Sequence, residues 1–161
     1  MAAGGRALRW ANAVAGQNGR ISQLLSAKPD ATAQAVERLQ GELYALRGRV
    51  AALEEADFAR KADRHRDAGD VLLLEGPMAP ESVRKLCGAV QAACGGRCAV
   101  FAGAEESWQY AISQPDGDLR ELTKALNARL QGRGGGKPAF VQGSVQAGED
   151  AWPAPAGAQS T

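Results

Sequence analysis

The clearest pattern in the chain lies between residues 36 and 53. Val36, Leu39, Leu43, Leu46, Val50 and Leu53 follow one another at spacings of three, four, three, four and three. That is an a/d seam running along one helix over three heptads. With Val36, Leu43 and Val50 at a, and Leu39, Leu46 and Leu53 at d, Glu42 and Arg49 fall at g while Arg47 and Glu54 fall at e. In a parallel pair each g residue faces the partner's e residue five positions on. Glu42 then meets Arg47 and Arg49 meets Glu54, both with opposite sign. Gly41 and Gly48 fall at the outward f position. The seam predicts either an interface with a second copy of the chain or an antiparallel hairpin with the preceding helix. Each exposed ion pair contributes at most ~1 kcal/mol, so the pattern alone does not choose between them.

The preceding helix is predicted over Arg6 to Leu25, with Trp10, Val14, Ile21 and Leu25 on a rough stripe weakened by Gly16 and Gly19. Ser26 to Asp30 is a break. Pro29 suits the first turn of the next helix and Asp30 its positive end. From Asp70 the period changes. The continuous apolar run Val71-Leu72-Leu73-Leu74, stopped by Gly76-Pro77, predicts a buried strand. Pro80 opens a helix to about Ala93, with Val83, Leu86, Cys87, Val90 and Cys94 on one face, ended by Gly95-Gly96. Two strands follow, Cys98 to Phe101 and Trp108 to Ser113, joined by the turn Gly103 to Glu106 as a hairpin. Asp118 with Glu121 makes a capping-box-like start for a helix carrying Leu119, Leu122, Leu126 and Leu130. A glycine loop and a last strand near Phe140 complete the order β-α-β-β-α-loop-β. The fold class expected is α/β (α+β): a helical hairpin or coiled-coil segment over 1–68, then a small domain over 69–148 with helices on one face of a mixed sheet. Residues 149–161, rich in Ala and Pro, are expected to form a disordered tail.

Composition narrows the function classes only slightly. Aromatic residues are 5% of the chain, so the core must be built mainly from Leu, Val and Ala, and the formal charge of +1 points neither toward nor away from nucleic acid. The cluster Arg60, Lys61, Arg64, His65 and Arg66, diluted by Asp63 and Asp67, reads as a solvated helix end. Cys87 and Cys94 are seven apart, on the apolar face of their helix, and read as core thiols. Zinc at Cys94 and Cys98 would need further ligands, and the only histidine, His65, lies in another segment. No apolar leader and no stretch of membrane-spanning length is found, which leads us to expect a reduced, cytoplasmic protein with no membrane partner.

The chemistry-bearing stretch is Arg129 to Ser144. Gly134, Gly135 and Gly136 stand between Arg133 and Lys137, followed by apolar Phe140 and Val141. Glycines in a loop can take φ > 0 and turn successive N–H groups to one side, forming an anion-sized concavity that two cations strengthen. A nucleotide P-loop is excluded. Gln131 stands in place of its first glycine, and Pro138 in place of the hydroxyl residue that would hold magnesium. A turn without any ligand is the plainer alternative.

Arg-Gly-Gly-Gly-Lys-Pro-Ala-Phe-Val-Gln-Gly-Ser, from Arg133 to Ser144, resembles the closing signature of the small domain that ends alanyl-tRNA synthetases. The same domain ends the long form of freestanding alanyl-tRNA editing proteins and follows the phosphoesterase domain of the DHH family. Gly117 to Arg120 through Leu126-Asn127 is similar to the helix that precedes that signature. Leu24 to Pro29 and the heptad helix resemble the linker of the editing proteins, and Gly4 to Leu8 the last junction of their editing domain. The resemblance implies binding of tRNA (alanine tRNA) and self-association as a homodimer. Arg133, Gly134, Gly135, Gly136 and Lys137 would meet phosphate, and Val36, Leu39, Leu43, Leu46, Val50 and Leu53 would meet the second copy. Trp108, Tyr110 and Phe140 are candidate base stackers, although in an aromatic-poor chain they fit a sheet core better. The family's hydrolysis of mischarged alanine tRNA uses an H-x-x-x-H pair with a downstream Cys and His on zinc. A chain with one histidine has no such motif, and the phosphoesterase Asp-His-His is also absent. No catalytic residue and no cofactor are therefore expected within this chain. Zinc belongs to an editing domain that would precede it, which makes the chain a fragment or the product of a truncated gene. A purely structural oligomerisation module is the alternative.

Overall fold

A computed structural model describes residues 3–148; the predicted disordered tail lies outside the described residues. The chain divides into two compact units, Met1–Ala52 and Leu53–Thr161.

The first unit holds α1 (Ala3–Leu24) and the greater part of α2 (Thr32–Arg64). Between them the chain turns through Ser26 in the left-handed region (φ 48). Asn18 fastens the turn: its Nδ2 donates to the Pro29 carbonyl at 3.0 Å, and its Oδ1 accepts from Thr32 Oγ1 at 3.1 Å. Helix α2 begins at Thr32 rather than at Pro29, because the Pro29 carbonyl is occupied by this side-chain tie and the residues after it form a turn. The heptad seam is exposed, from 39% at Val36 to 71% at Leu53, and Trp10, Val14 and Ile21 of α1 are exposed as well. The two helices therefore do not close over the seam, and the intrachain hairpin is not formed.

The second unit starts with the end of α2, then β1 (Gly69–Glu75), α3 (Pro80–Cys94), β2 (Gly95–Ala104), β3 (Ser107–Ser113), α4 (Arg120–Arg129), β4 (Arg133–Lys137) and β5 (Phe140–Gln146). The sheet runs β1-β2-β3-β5-β4; β1 and β2 are parallel and the other pairs antiparallel. Gly95 closes α3 in the left-handed conformation (φ 74), where a side chain would be strained, and leads directly into β2.

Helices cover both faces of the sheet, not one as the sequence suggested. On the first face, Val83, Leu86, Cys87, Val90 and Cys94 of α3 pack with Val71, Cys98, Val100, Ala102 and Ala111, joined by Phe58 and Ala62 from the end of α2. Leu86 is fully buried there, so truncating it to Ala would cost about 2–5 kcal/mol. On the second face, α4 and its entry bring Leu119, Leu126 and Leu130 onto Phe101, Tyr110, Ile112, Val141 and Val145. Because both faces are used, inward residues of alternating parity are both apolar, and the single-face period is lost. The run Val71 to Leu74 is an edge strand rather than a fully buried one: Val71 is buried but Leu72 is 47% exposed.

Polar contacts fasten the end of α2 to this unit. Ser82 Oγ donates to the Glu54 carboxylate at 2.9 Å, and Lys61 Nζ reaches Glu75 Oε2 at 2.6 Å and Asp57 Oδ2 at 3.2 Å. Burial pushes the Lys61 ammonium down, but its hydrogen bonds to Glu75 and Asp57 outweigh this and hold its pKa above the ordinary lysine value. The three cysteines are buried free thiols, with Cys87 Sγ donating to the Cys98 carbonyl at 3.5 Å. The Cys98 pKa is pushed up, first by its hydrogen bond with Cys87 and then by burial. The expectation of core thiols holds.

Candidate nucleic-acid interface

The glycine run is a strand, not a loop. Arg133 to Lys137 form β4 and pair with β5 in the register Arg133↔Ser144, Gly135↔Gln142 and Lys137↔Phe140. Among the described residues the only glycines at positive φ are Gly69 and Gly95, so the three glycines do not form a cradle of convergent N–H groups. The physical reason lies in the turn. Pro138 and Ala139 make a two-residue hairpin whose carbonyls are both engaged: Leu119 N–H donates to Pro138 at 2.8 Å and Gln114 N–H to Ala139 at 2.9 Å. That anchored turn sets the register and draws the glycines into extended pairing.

Packing explains two of the three glycines. Gly134 and Gly136 share a face with their partners Gly143 and Val141, on the α4 side. A Cβ on Gly134 would lie 2.4 Å from both the Gln142 carbonyl oxygen and the Tyr110 hydroxyl, and one on Gly136 would lie 2.2 Å from the Phe140 carbonyl oxygen. Behind Gly134, Tyr110 Oη donates to Asn127 Oδ1 at 3.1 Å, and Asn127 Nδ2 donates to the Gly134 carbonyl at 3.3 Å. Burial raises the Tyr110 pKa above the ordinary tyrosine value. Gly135 is different. It faces the α3 side with nothing within 4 Å of a Cβ placed there. A glycine inside a strand weakens it, and one that packing does not require marks a place for close backbone approach.

Arg133 and Lys137 flank Gly135 on that same face. Four residues of antiparallel strand set them about 13–14 Å apart. Both are exposed, and among the described residues neither has a carboxylate partner, whereas Arg120 and Lys124 of α4 are paired with Asp118 and Glu121. Strand β4 is the sheet's last strand, and among the described residues no strand lies along its outer edge. A sequence signal for this surface was present and unused: from Leu122 to Gly148 the chain carries Lys124, Arg129, Arg133 and Lys137 and no Asp or Glu.

Two clefts adjoin the strand. One, of about 470 Å³, is lined by Arg84 and Gly88 of α3, Gly135, Gly136 and Lys137 of β4, and Phe140 and Gln142 of β5. The other, of about 530 Å³, holds Arg133 with Ser107, Gln131 and Ser144. Of the candidate stackers, Tyr110 is buried in the core and Trp108 is half-buried, its Nε1 donating to the Ala147 and Glu105 carbonyls. Phe140 is half-buried, packs on the α3-side core and lines the first cleft. Arg84 was not singled out by sequence; its place on the exposed face of α3 concealed it. The heptad residues Val36 to Val50 belong to the other unit, and Leu53 is the first residue of this one. Among the described residues no group of His, Cys, Asp and Glu is placed to hold a metal ion, and no helix is long and apolar enough to cross a membrane.

No protein-family profile and no curated protein matches the sequence. Among solved structures, the chain is similar to the C-Ala domain of Aquifex aeolicus alanyl-tRNA synthetase, with a TM-score of 0.44 and 17% identity over 50% of this chain and 78% of that one.

Proposed function

We propose that this chain binds tRNA through the β4 edge and pairs with a second copy through α2. The observation that carries the reading is the exposed strand β4, with Arg133 and Lys137 on either side of Gly135 and, among the described residues, no carboxylate partner for either. Such a surface suits a polyanion, and it supplies affinity by neutralising phosphate without reading sequence. The resemblance of Arg133 to Ser144 to the closing signature of alanyl-tRNA editing proteins narrows the partner to alanine tRNA and the setting to the cytoplasm. In this reading the chain holds the RNA, while hydrolysis and zinc belong to the editing domain of that family.

The test is binding of alanine tRNA across a salt series, with an unrelated tRNA as control. The R133A/K137A double variant is expected to bind more weakly, with a log–log salt slope smaller by about 1.4–1.8, since each phosphate contact contributes roughly 0.7–0.9. Equal binding by the double variant would remove β4 from the interface. Equal affinity for both tRNAs would leave RNA binding and remove the alanine tRNA assignment.

The exposed seam favours a second reading in parallel, an oligomerisation module. Val36, Leu39, Leu43, Leu46, Val50 and Leu53 present a continuous apolar face with complementary e and g charges. Sedimentation is expected to show a dimer that the L43D/L46D variant reduces to a monomer. A wild-type monomer at high micromolar concentration would refute this.

A further inference from the structure

The cleft between α3 and β4 has features that the strand edge alone does not explain. Three glycines border it; beside Gly136 these are one from each wall, Gly88 on the exposed side of α3 and Gly135 on β4. Neither is required by packing, since a Cβ at either position would meet nothing within 4 Å. A glycine inside a helix is unfavourable relative to Ala, as is one inside a strand. Both walls are thus kept bare at some cost to stability. Each wall also carries a cation, Arg84 from α3 and Lys137 from β4. Among the described residues the one carboxylate within 4.0 Å of Arg84 is that of Glu81, with both side chains more than half exposed, a contact that water largely screens. Phe140 contributes an apolar ring to the cleft, and Gln142 an exposed amide able to donate and accept.

We propose that this cleft holds one unstacked nucleotide of the bound RNA. Arg84 and Lys137 take its phosphate from opposite walls, its base lies against Phe140, and the Gln142 amide meets the base edge. The volume of about 470 Å³ lies within the range of small-ligand sites. An aromatic face with flanking cations is the recurrent chemistry for an unpaired base and its backbone. A peptide strand added along β4 would use the strand's edge but gains nothing from two cations in a cleft whose lining, among the described residues, holds no carboxylate. The proposal rests on RNA binding as proposed above and adds Arg84, Gly88, Phe140 and Gln142 to it.

The test measures tRNA affinity of the full chain for Gly88→Leu, Arg84→Ala and, as a charge control, Lys85→Ala. Lys85 is exposed on the same helix but does not line the cleft. Gly88→Leu fills the cleft without changing charge and raises helix propensity, so its melting temperature should stay level or rise. Its affinity is expected to fall about tenfold, the scale of one lost base-stacking contact. Arg84→Ala is expected to weaken binding several-fold and to reduce the salt slope by about 1, while Lys85→Ala stays near wild type. Normal binding by Gly88→Leu and Arg84→Ala, with R133A/K137A weakened, would overturn the cleft and leave the strand edge standing. Equal losses for Arg84→Ala and Lys85→Ala, with Gly88→Leu unaffected, would overturn it in favour of a diffuse field. Absence of tRNA binding by the unaltered chain would overturn both readings.

Discussion

Alanine substitution at Gly134 and at its neighbour Gly135 should have opposite effects on stability. At Gly134 the added methyl would sit 2.4 Å from the Gln142 carbonyl oxygen, a backbone atom that can move only with β5, and 2.4 Å from the Tyr110 hydroxyl. Overpacking of this kind costs about 1–3 kcal/mol. Displacing Tyr110 also strains its 3.1 Å bond to Asn127, a contact that contributes about 1 kcal/mol. A loss of about 2–4 kcal/mol is therefore expected, which for a domain of this size lowers the melting temperature by about 10–30 °C. At Gly135 the methyl meets nothing, and the change removes a glycine from a strand, so stability should hold or rise by about 0.5–1 kcal/mol. Thermal unfolding by circular dichroism, with urea titration as a check, compares the two variants. If Gly135→Ala proved as damaging as Gly134→Ala, the glycines would be loop residues at positive φ, and the strand assignment would be wrong. If both were neutral, β4 would not be paired with β5.

Two further outcomes follow from the geometry. Hydrogen bonds from the Arg120 side chain and backbone hold the Asp118 carboxyl down at about 2, from an ordinary 3.8. Its ionised form therefore favours the fold above pH 3.8, and that contribution fades as the pH falls toward about 2. Arg120→Ala should move the Asp118 midpoint, read from its carboxyl NMR shift, up toward 3.8; an unmoved midpoint would mean that the guanidinium is not its partner. Cys87, Cys94 and Cys98 are at most 1% exposed, so none should react with a thiol reagent in the native protein and all three should react in urea. Labelling of any one at the rate of a free thiol would place it outside the core.

Sequence periodicity carried most of this fold. The apolar face of α3 was legible because Val83, Leu86, Cys87, Val90 and Cys94 repeat at helical spacing and meet one partner surface. Strand β4 was not legible, because three glycines offer no side chains to alternate, and its pairing depends on a turn fastened to Gln114 and Leu119, far along the chain. The placement of α4 on the face opposite α3 was hidden for a related reason. Strands β2 and β3 are apolar on both sides, so the pattern along them does not say which helix takes which side. Asp118 was half legible: its carboxylate does accept the Arg120 N–H at 3.1 Å, but its side chain pairs with Arg120 rather than sharing a capping box with Glu121. Of the candidate site, Arg133 and Lys137 were readable as cations beside glycines, whereas Arg84 meets Lys137 only through the tertiary fold.

An unpaired strand edge invites other strands, and proteins that keep one open must stop copies of themselves from adding to it. The composition of β4 does this. Glycine is a poor strand former, Arg133 and Lys137 oppose the approach of an identical edge by like charge, and Pro138 ends the ladder after only five residues. The same features that leave Arg133 and Lys137 exposed thus disfavour the addition of a second copy along this edge. Replacing Gly135, the one glycine of β4 with room for a side chain, by a better strand former would trade solubility for order.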